Sequence, residues 1–139
     1  MSPSDSFDEQ ATVNKLVHAQ LDERLTAFET AMGADALALI GPMDFGMDDV
    51  TRDAVEWRIG ERSQRDAQRV LAVVLETTGG YIEVVERMAD TFRAHYERVE
   101  FVIPNHAFSA GTILVMSGDA IHMDYYSVLG PIDPQVAQG

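Results

Sequence analysis

The spacing of apolar positions changes several times along this chain, and each change marks a different element. Val17, Leu21, Leu25, Phe28 and Met32 recur at steps of three and four, which lays one apolar stripe along a helix. Ser6 and Glu9 have the spacing of a capping box, in which each side chain satisfies the other's free backbone N–H. Gly33 supplies the left-handed residue that ends a helix. The pattern predicts a helix over residues 7–32 whose stripe packs on its own domain or on a sister subunit.

Short apolar runs then alternate with helical spacing. Residues 36–40 form a run closed by Gly41 and Pro42, as a buried strand would be. Asp48 or Asp49 caps a second helix with Val50, Ala54 and Trp57 on one face and Gly60 at its end. Trp57 is expected in the core, and residues 61–69 read as a polar connection. Residues 70–75 form a second strand, followed by the turn Thr77-Thr78-Gly79-Gly80 and a helix carrying Ile82, Val85, Met88, Ala89 and Phe92. Residues 99–103 form a third strand, 104–108 a tight connection, 109–117 a short helix, and 120–123 a fourth strand. Residues 125–135 are punctuated by Pro and Gly and read as a loop. Strands alternating with helices predict an α/β fold with a mainly parallel sheet flanked by helices. Parallel strands present their carboxyl ends along one edge, so the turn at Gly79 and Gly80 should meet the turn at Ser109 there.

Composition adds limits. At 139 residues, with 46% hydrophobic and 24% charged positions, the chain is expected to fold as one domain. A formal charge of −13 opposes binding to a phosphate backbone or an anionic membrane, so nucleic acid is not an expected partner. With no cysteine, disulfides, thiolate catalysis and Cys-ligated metals are excluded. No run is long enough to span a bilayer, and acids stand where a signal peptide would be apolar, which makes a soluble, cytoplasmic protein the expectation. No His, Asp and Glu spacing indicates a metal site, and no cofactor is expected.

Three segments carry candidate chemistry. Ala107-Phe108-Ser109-Ala110-Gly111-Thr112 places a serine among small residues at a strand-to-helix turn, where free helix N–H groups and the dipole suit an oxyanion. Taken alone, such a serine is more often an ordinary helix cap than a nucleophile. The glycines of Thr77-Thr78-Gly79-Gly80 let backbone N–H groups point into a cleft, although the segment alone is only a turn. Leu129-Gly130-Pro131-Ile132-Asp133-Pro134-Gln135 is a rigid segment. Asp44-Phe45-Gly46 matches a kinase tripeptide without the accompanying kinase segments and reads as a turn.

Together the three segments resemble the serine dehydrogenase proteinases of the Clp protease/crotonase superfamily, close to the signal peptide peptidase A group. The family pattern runs T-P-G-G, P-x-x-A-x-S-x-G-T, D-x-I-x-M-D and L-G-P-x-D-P-Q. This chain supplies Thr77, Gly79 and Gly80, then Pro104, Ala107, Ser109, Gly111 and Thr112, then Asp119, Ile121, Met123 and Asp124, then Leu129 to Pro131 and Asp133 to Gln135. The resemblance implies a Clp/crotonase-like fold, truncated here at its C-terminus, and a homo-oligomer acting on a peptide or protein substrate. It implies Ser109 as nucleophile and an oxyanion hole from the N–H groups of Gly79 or Gly80 and of Ala110. The segment 129–135 would help form the substrate cleft.

The sequence departs from the family at Thr78, where the family has Pro, at Ala110, which replaces a frequent Gly, and in its general base. Relatives use a lysine well downstream of the serine, whereas Lys15, the only lysine here, lies on the first helix. His122 follows Ser109 too closely to match the Clp histidine, His106 reads as a polar turn residue, and His18 and His95 read as surface positions. Three readings follow: a Ser-Lys peptidase domain lacking its base, a crotonase-like acyl-CoA enzyme, and a non-catalytic pseudopeptidase or assembly fragment. The first is expected to show little turnover by itself.

Overall fold

A computed structural model describes residues 3–61 and 69–132, with side chains described from residue 9 onward. Asp133, Pro134 and Gln135 of the expected cleft segment lie outside the described residues. The chain divides into two units, Met1–Gly33 and Ala34–Gly139. The first carries α1 (Pro3–Met32), which begins before Ser6, so that residue lies within the helix and not at its cap. Along α1, Val13, Leu16, Val17 and Leu21 are exposed.

The second unit is built on a parallel sheet of β1 (Asp35–Ile40), β2 (Val70–Glu76), β3 (Arg98–Ile103) and β5 (Ala120–Met123), in the order β1-β2-β3-β5. Registers run Asp35 to Leu71, Leu71 to Val99 and Phe101 to Ile121, so the strands stay in step along the sheet. β2 is interior and reads as a continuous apolar run because it is covered on both faces, with Leu71, Ala72, Val73 and Leu75 buried. Against the sheet pack α2 (Met47–Gly60), α3 (Ile82–His95) and α4 (Ala110–Met116). α3 inserts Val84, Val85, Met88 and Phe92, and Phe92 meets Phe101 of β3 edge-on with ring centroids 6.4 Å apart. Each such side chain contributes roughly 1.5–3 kcal/mol through burial.

α2 departs from expectation. Its buried face carries Asp48, Thr51 and Val55, while Val50 and Trp57 are each 65% exposed, so Trp57 is not a core residue. Asp48 tolerates burial because Arg87 of α3 pairs with it at 3.0 Å. The helix is capped by Gly46 at φ 101°, without a side-chain bond, and Asp48 instead accepts the Gly46 N–H at 3.2 Å.

A second, smaller layer was not expected from the sequence. β4 (His106–Ala107) and β6 (Val128–Leu129) pair in parallel within segments that read as connections, and bridges join Thr77 to Ala107 and Met43 to Gly80. Gly130 donates to Ala107 O and Phe108 to Thr77 O, while Met43 donates to Gly79 O. The chain leaving β2 therefore runs directly into this layer.

Candidate active site

The small layer fixes the glycine turn. The Gly79 carbonyl accepts the Met43 N–H at 2.8 Å, and its own N–H donates to the buried Thr77 hydroxyl at 3.1 Å. Tyr81 N–H closes the ladder on Met43 O at 3.0 Å. A Cβ at Gly80 would stand 2.3 Å from Met43 O, so only glycine permits this close approach. Gly79 adopts φ 105°, and a Cβ there would lie 2.8 Å from Phe108 O and 2.9 Å from Ser109 Cβ. The two turns sit against each other at the carboxyl edge of the sheet.

Ser109 stands immediately before α4 with φ 50° and ψ −122°, the one positive-φ residue other than glycine among the described residues. A side chain held in that region costs on the order of 1–3 kcal/mol, and such outliers cluster where a group must be presented at a set angle. The bend resembles the strained strand-to-helix turn that exposes a serine nucleophile. Its hydroxyl makes no capping bond to α4, which removes the ordinary reason for a serine at this position. The residue is half-buried. Ala110 N lies 3.4 Å from where a Gly79 Cβ would be, and no backbone bond among the described residues engages the N–H of Ala110 or Gly80.

Neighbouring motif residues hold this bend in place. A Cβ at Gly111 would lie 2.3 Å from Thr77 Cγ2, so its absence lets α4 close on the glycine turn. The buried Thr112 hydroxyl lies 2.9 Å from Ala107 O and 3.1 Å from Gly130 O, sharing its proton between the segments on either side of the serine. Gly130 passes the Phe108 ring so closely that a Cβ would stand 2.3 Å from it. Thr77 and Thr112 were visible only as motif letters, because their partners are distant in sequence.

The two Asp residues of the third motif are structural. Asp119 accepts from Val99 N at 2.8 Å and from Arg93 at 2.7 Å, locking β5 beside β3. The Arg93 guanidinium, with the Val99 N–H, holds the Asp119 carboxyl below the usual carboxylate range. Asp124 accepts the N–H groups of Tyr126 at 2.8 Å and Ser127 at 3.1 Å, shaping the turn after β5.

The histidines make other contacts. His122 Nε2 lies 3.2 Å from Glu100, whose carboxyl is held low chiefly by its bond from Arg98 and further by His122. His106 Nδ1 is 3.5 Å from Glu76, and its ring stacks on Phe108 with centroids 4.6 Å apart. His18 and His95 are exposed on α1 and α3, and Lys15 is exposed on α1. No group of His, Asp and Glu among the described residues has the arrangement of a metal site. No helix among them is long and apolar enough to cross a membrane.

A strained serine against a two-glycine turn on a parallel sheet is the arrangement expected of the suspected family. The model of the ClpP-like SDH-type serine proteinases matches residues 57–139, more than half of the chain and all three motif segments. The chain belongs to this family. The chain is also similar to two uncharacterized proteins of Methanocaldococcus jannaschii, MJ0137 at 35% and MJ1495 at 33% identity, each over 66 residues. That stretch is 48% of this chain and 23% of each relative, so the chain matches about a quarter of proteins far longer than the shared segment. The ClpP-like SDH-type assignment and the parallel sheet agree: this is a serine peptidase-like domain of Clp type.

Proposed function

We propose that the domain belongs to a Ser-Lys peptidase, with Ser109 as the nucleophile that forms an acyl-enzyme on a peptide carbonyl. The observation that carries this reading is the backbone of Ser109, held at φ 50° with a hydroxyl that does not cap its helix. The family match supports it. Attack by Ser109 Oγ on the carbonyl carbon breaks the C=O π bond and leaves the negative charge on oxygen, where preorganised N–H donors stabilise it. The N–H groups of Gly80 and Ala110 take that role. Gly79 spends its N–H on Thr77 and instead clears the space beside Ser109.

A lysine contributed by sequence outside residues 1–139 takes the proton of Ser109 and, as the C=O re-forms and the C–N bond breaks, returns it to the departing amine. Relatives carry their lysine downstream of the serine whereas Lys15 precedes it, and His122 and His106 are held against Glu100 and Glu76. The relatives are about four times as long as the matched stretch, which leaves room for such a residue. The reading includes self-association through the exposed stripe of α1, for which light scattering at tens of micromolar should find more than a monomer.

A second reading, a pseudopeptidase that serves assembly, draws support from the lack of a hydrogen-bonded base at Ser109 among the described residues. Fluorophosphonate labelling separates the readings. A longer form of the protein carrying the downstream lysine should label at Ser109, and Ser109→Ala should abolish the label. Failure of the longer form to label would favour the pseudopeptidase, and binding of acyl-CoA in its place would favour a crotonase-like enzyme.

A further inference from the structure

Beside the glycine turn the structure exposes an aromatic pair for which no part of the fold accounts. Phe45 is 69% and Tyr81 48% exposed, yet their rings stack with centroids 4.2 Å apart and planes inclined by 30°. The parallel bridge from Met43 to Gly80 brings the two segments together, with Asp44 following Met43 opposite Tyr81 and Phe45 one residue further on in the turn before α2. The bonds from Met43 N to Gly79 O and from Tyr81 N to Met43 O keep both backbones in register. Phe45 thus keeps most of its surface in water and Tyr81 about half, which is unfavourable unless something covers them.

Their place in the chain names the occupant. Tyr81 directly follows Gly80 and is two residues from Gly79, which abuts Ser109. Two residues of extended chain span about 7 Å, the separation of successive same-side side chains of an extended peptide. We infer that Phe45 and Tyr81 form a shelf that receives a large aromatic side chain of the substrate, one or two residues from the bond attacked by Ser109. This rests on the peptidase reading of Ser109 and adds to it a class of substrate: extended peptides bearing an aromatic residue beside the scissile bond. The shelf offers ring faces and edges for stacking, and it is continuous with the free N–H of Gly80.

The test uses three acetylated and amidated hexapeptides, identical except for phenylalanine, alanine or lysine at one central position, titrated into the ¹⁵N-labelled full chain. The lysine peptide controls for attraction by the net charge of −13. The phenylalanine peptide should bind about tenfold more tightly than the alanine peptide. It should shift the amides of Gly80 and Ala110 together with those of Phe45 and Tyr81. Phe45→Ala and Tyr81→Ala, both at exposed positions and checked for folding by their amide spectra, should reduce the preference to within about twofold.

Shifts at Gly80 and Ala110 with equal affinity for all three peptides would overturn the shelf while leaving the Ser109 reading intact. Shifts at Phe45 and Tyr81 that never reach Gly80 or Ala110 would overturn the link between shelf and serine. Tightest binding by the lysine peptide, or no shift with any peptide at millimolar concentration, would likewise overturn the proposal.

Discussion

The two edges of the central sheet handle their polar groups in opposite ways. At the amino edge, polar groups are paired: buried Asp35 at the start of β1 accepts the Tyr96 hydroxyl at 2.7 Å and lies 3.8 Å from Arg58, while Arg69 O takes the N–H groups of Glu97 and Arg98. An apolar cavity of about 150 Å³, lined by Leu37, Val55, Trp57 and Tyr96 among others, lies there too. At the carboxyl edge, three glycine close approaches, a strained serine and two uncommitted N–H groups gather within one pair of turns. Both edges follow from the same parallel strands, so the contrast comes from the turns. One edge is built for stability, and the other holds strain and open donors that a packed core would not tolerate.

The largest expected separation of the edges is catalytic. In a form of the protein that carries its base, Ser109→Ala should lower peptide turnover by about 10⁴- to 10⁶-fold with little change in the urea midpoint. Ser109→Gly should lose turnover equally but gain on the order of 1 kcal/mol of stability by relieving the positive φ. That combination would assign the strain to presentation of the hydroxyl.

Next in size is Gly79→Ala, which places a methyl 2.9 Å from Ser109 Cβ at φ 105°. It should cost roughly 1–3 kcal/mol in denaturant unfolding and also remove fluorophosphonate labelling, because the site and the strained backbone are the same atoms. Tyr96→Phe makes the opposite test at the amino edge. Removing the donor to Asp35 should cost about 1–2 kcal/mol while labelling at Ser109 stays unchanged.

The smallest effect is electrostatic. The Asp119 carboxyl is lowered by Arg93 and Val99 N–H in the folded state, so its contribution is present above the unfolded value near about pH 4 and is lost as pH falls through the folded one. Asp119→Asn should therefore flatten part of the acid limb of a stability-against-pH curve. Neutral-pH labelling at Ser109 should be unaffected.

Legibility from sequence followed the same division. β2, β3, β5 and the buried face of α3 were readable because apolar runs and helical spacing depend on local pattern. The meeting of Gly79 with Ser109 could be anticipated because successive parallel strands must share a carboxyl edge. The exposed Trp57 was misread because the buried face of α2 depends on Asp48 finding Arg87 on another helix, a pairing that local spacing does not encode. β4 and β6 are two residues each and exist only through partners distant in sequence, so they leave no periodic trace. The bond that the Gly79 N–H makes to the Thr77 hydroxyl depends on the folded turn, and the positive φ of Ser109 has no signature in residue type.

The central claim is that Ser109, Gly80 N–H and Ala110 N–H converge on one reacting carbonyl. A crystal structure of the protein with a peptide boronic acid tests it most directly. The account expects boron bonded to Ser109 Oγ, with one boronate oxygen about 2.7–3.1 Å from both the Gly80 and Ala110 nitrogens. A boronate oxygen turned away from both nitrogens, or a reagent bound beside an unmodified Ser109, would contradict it.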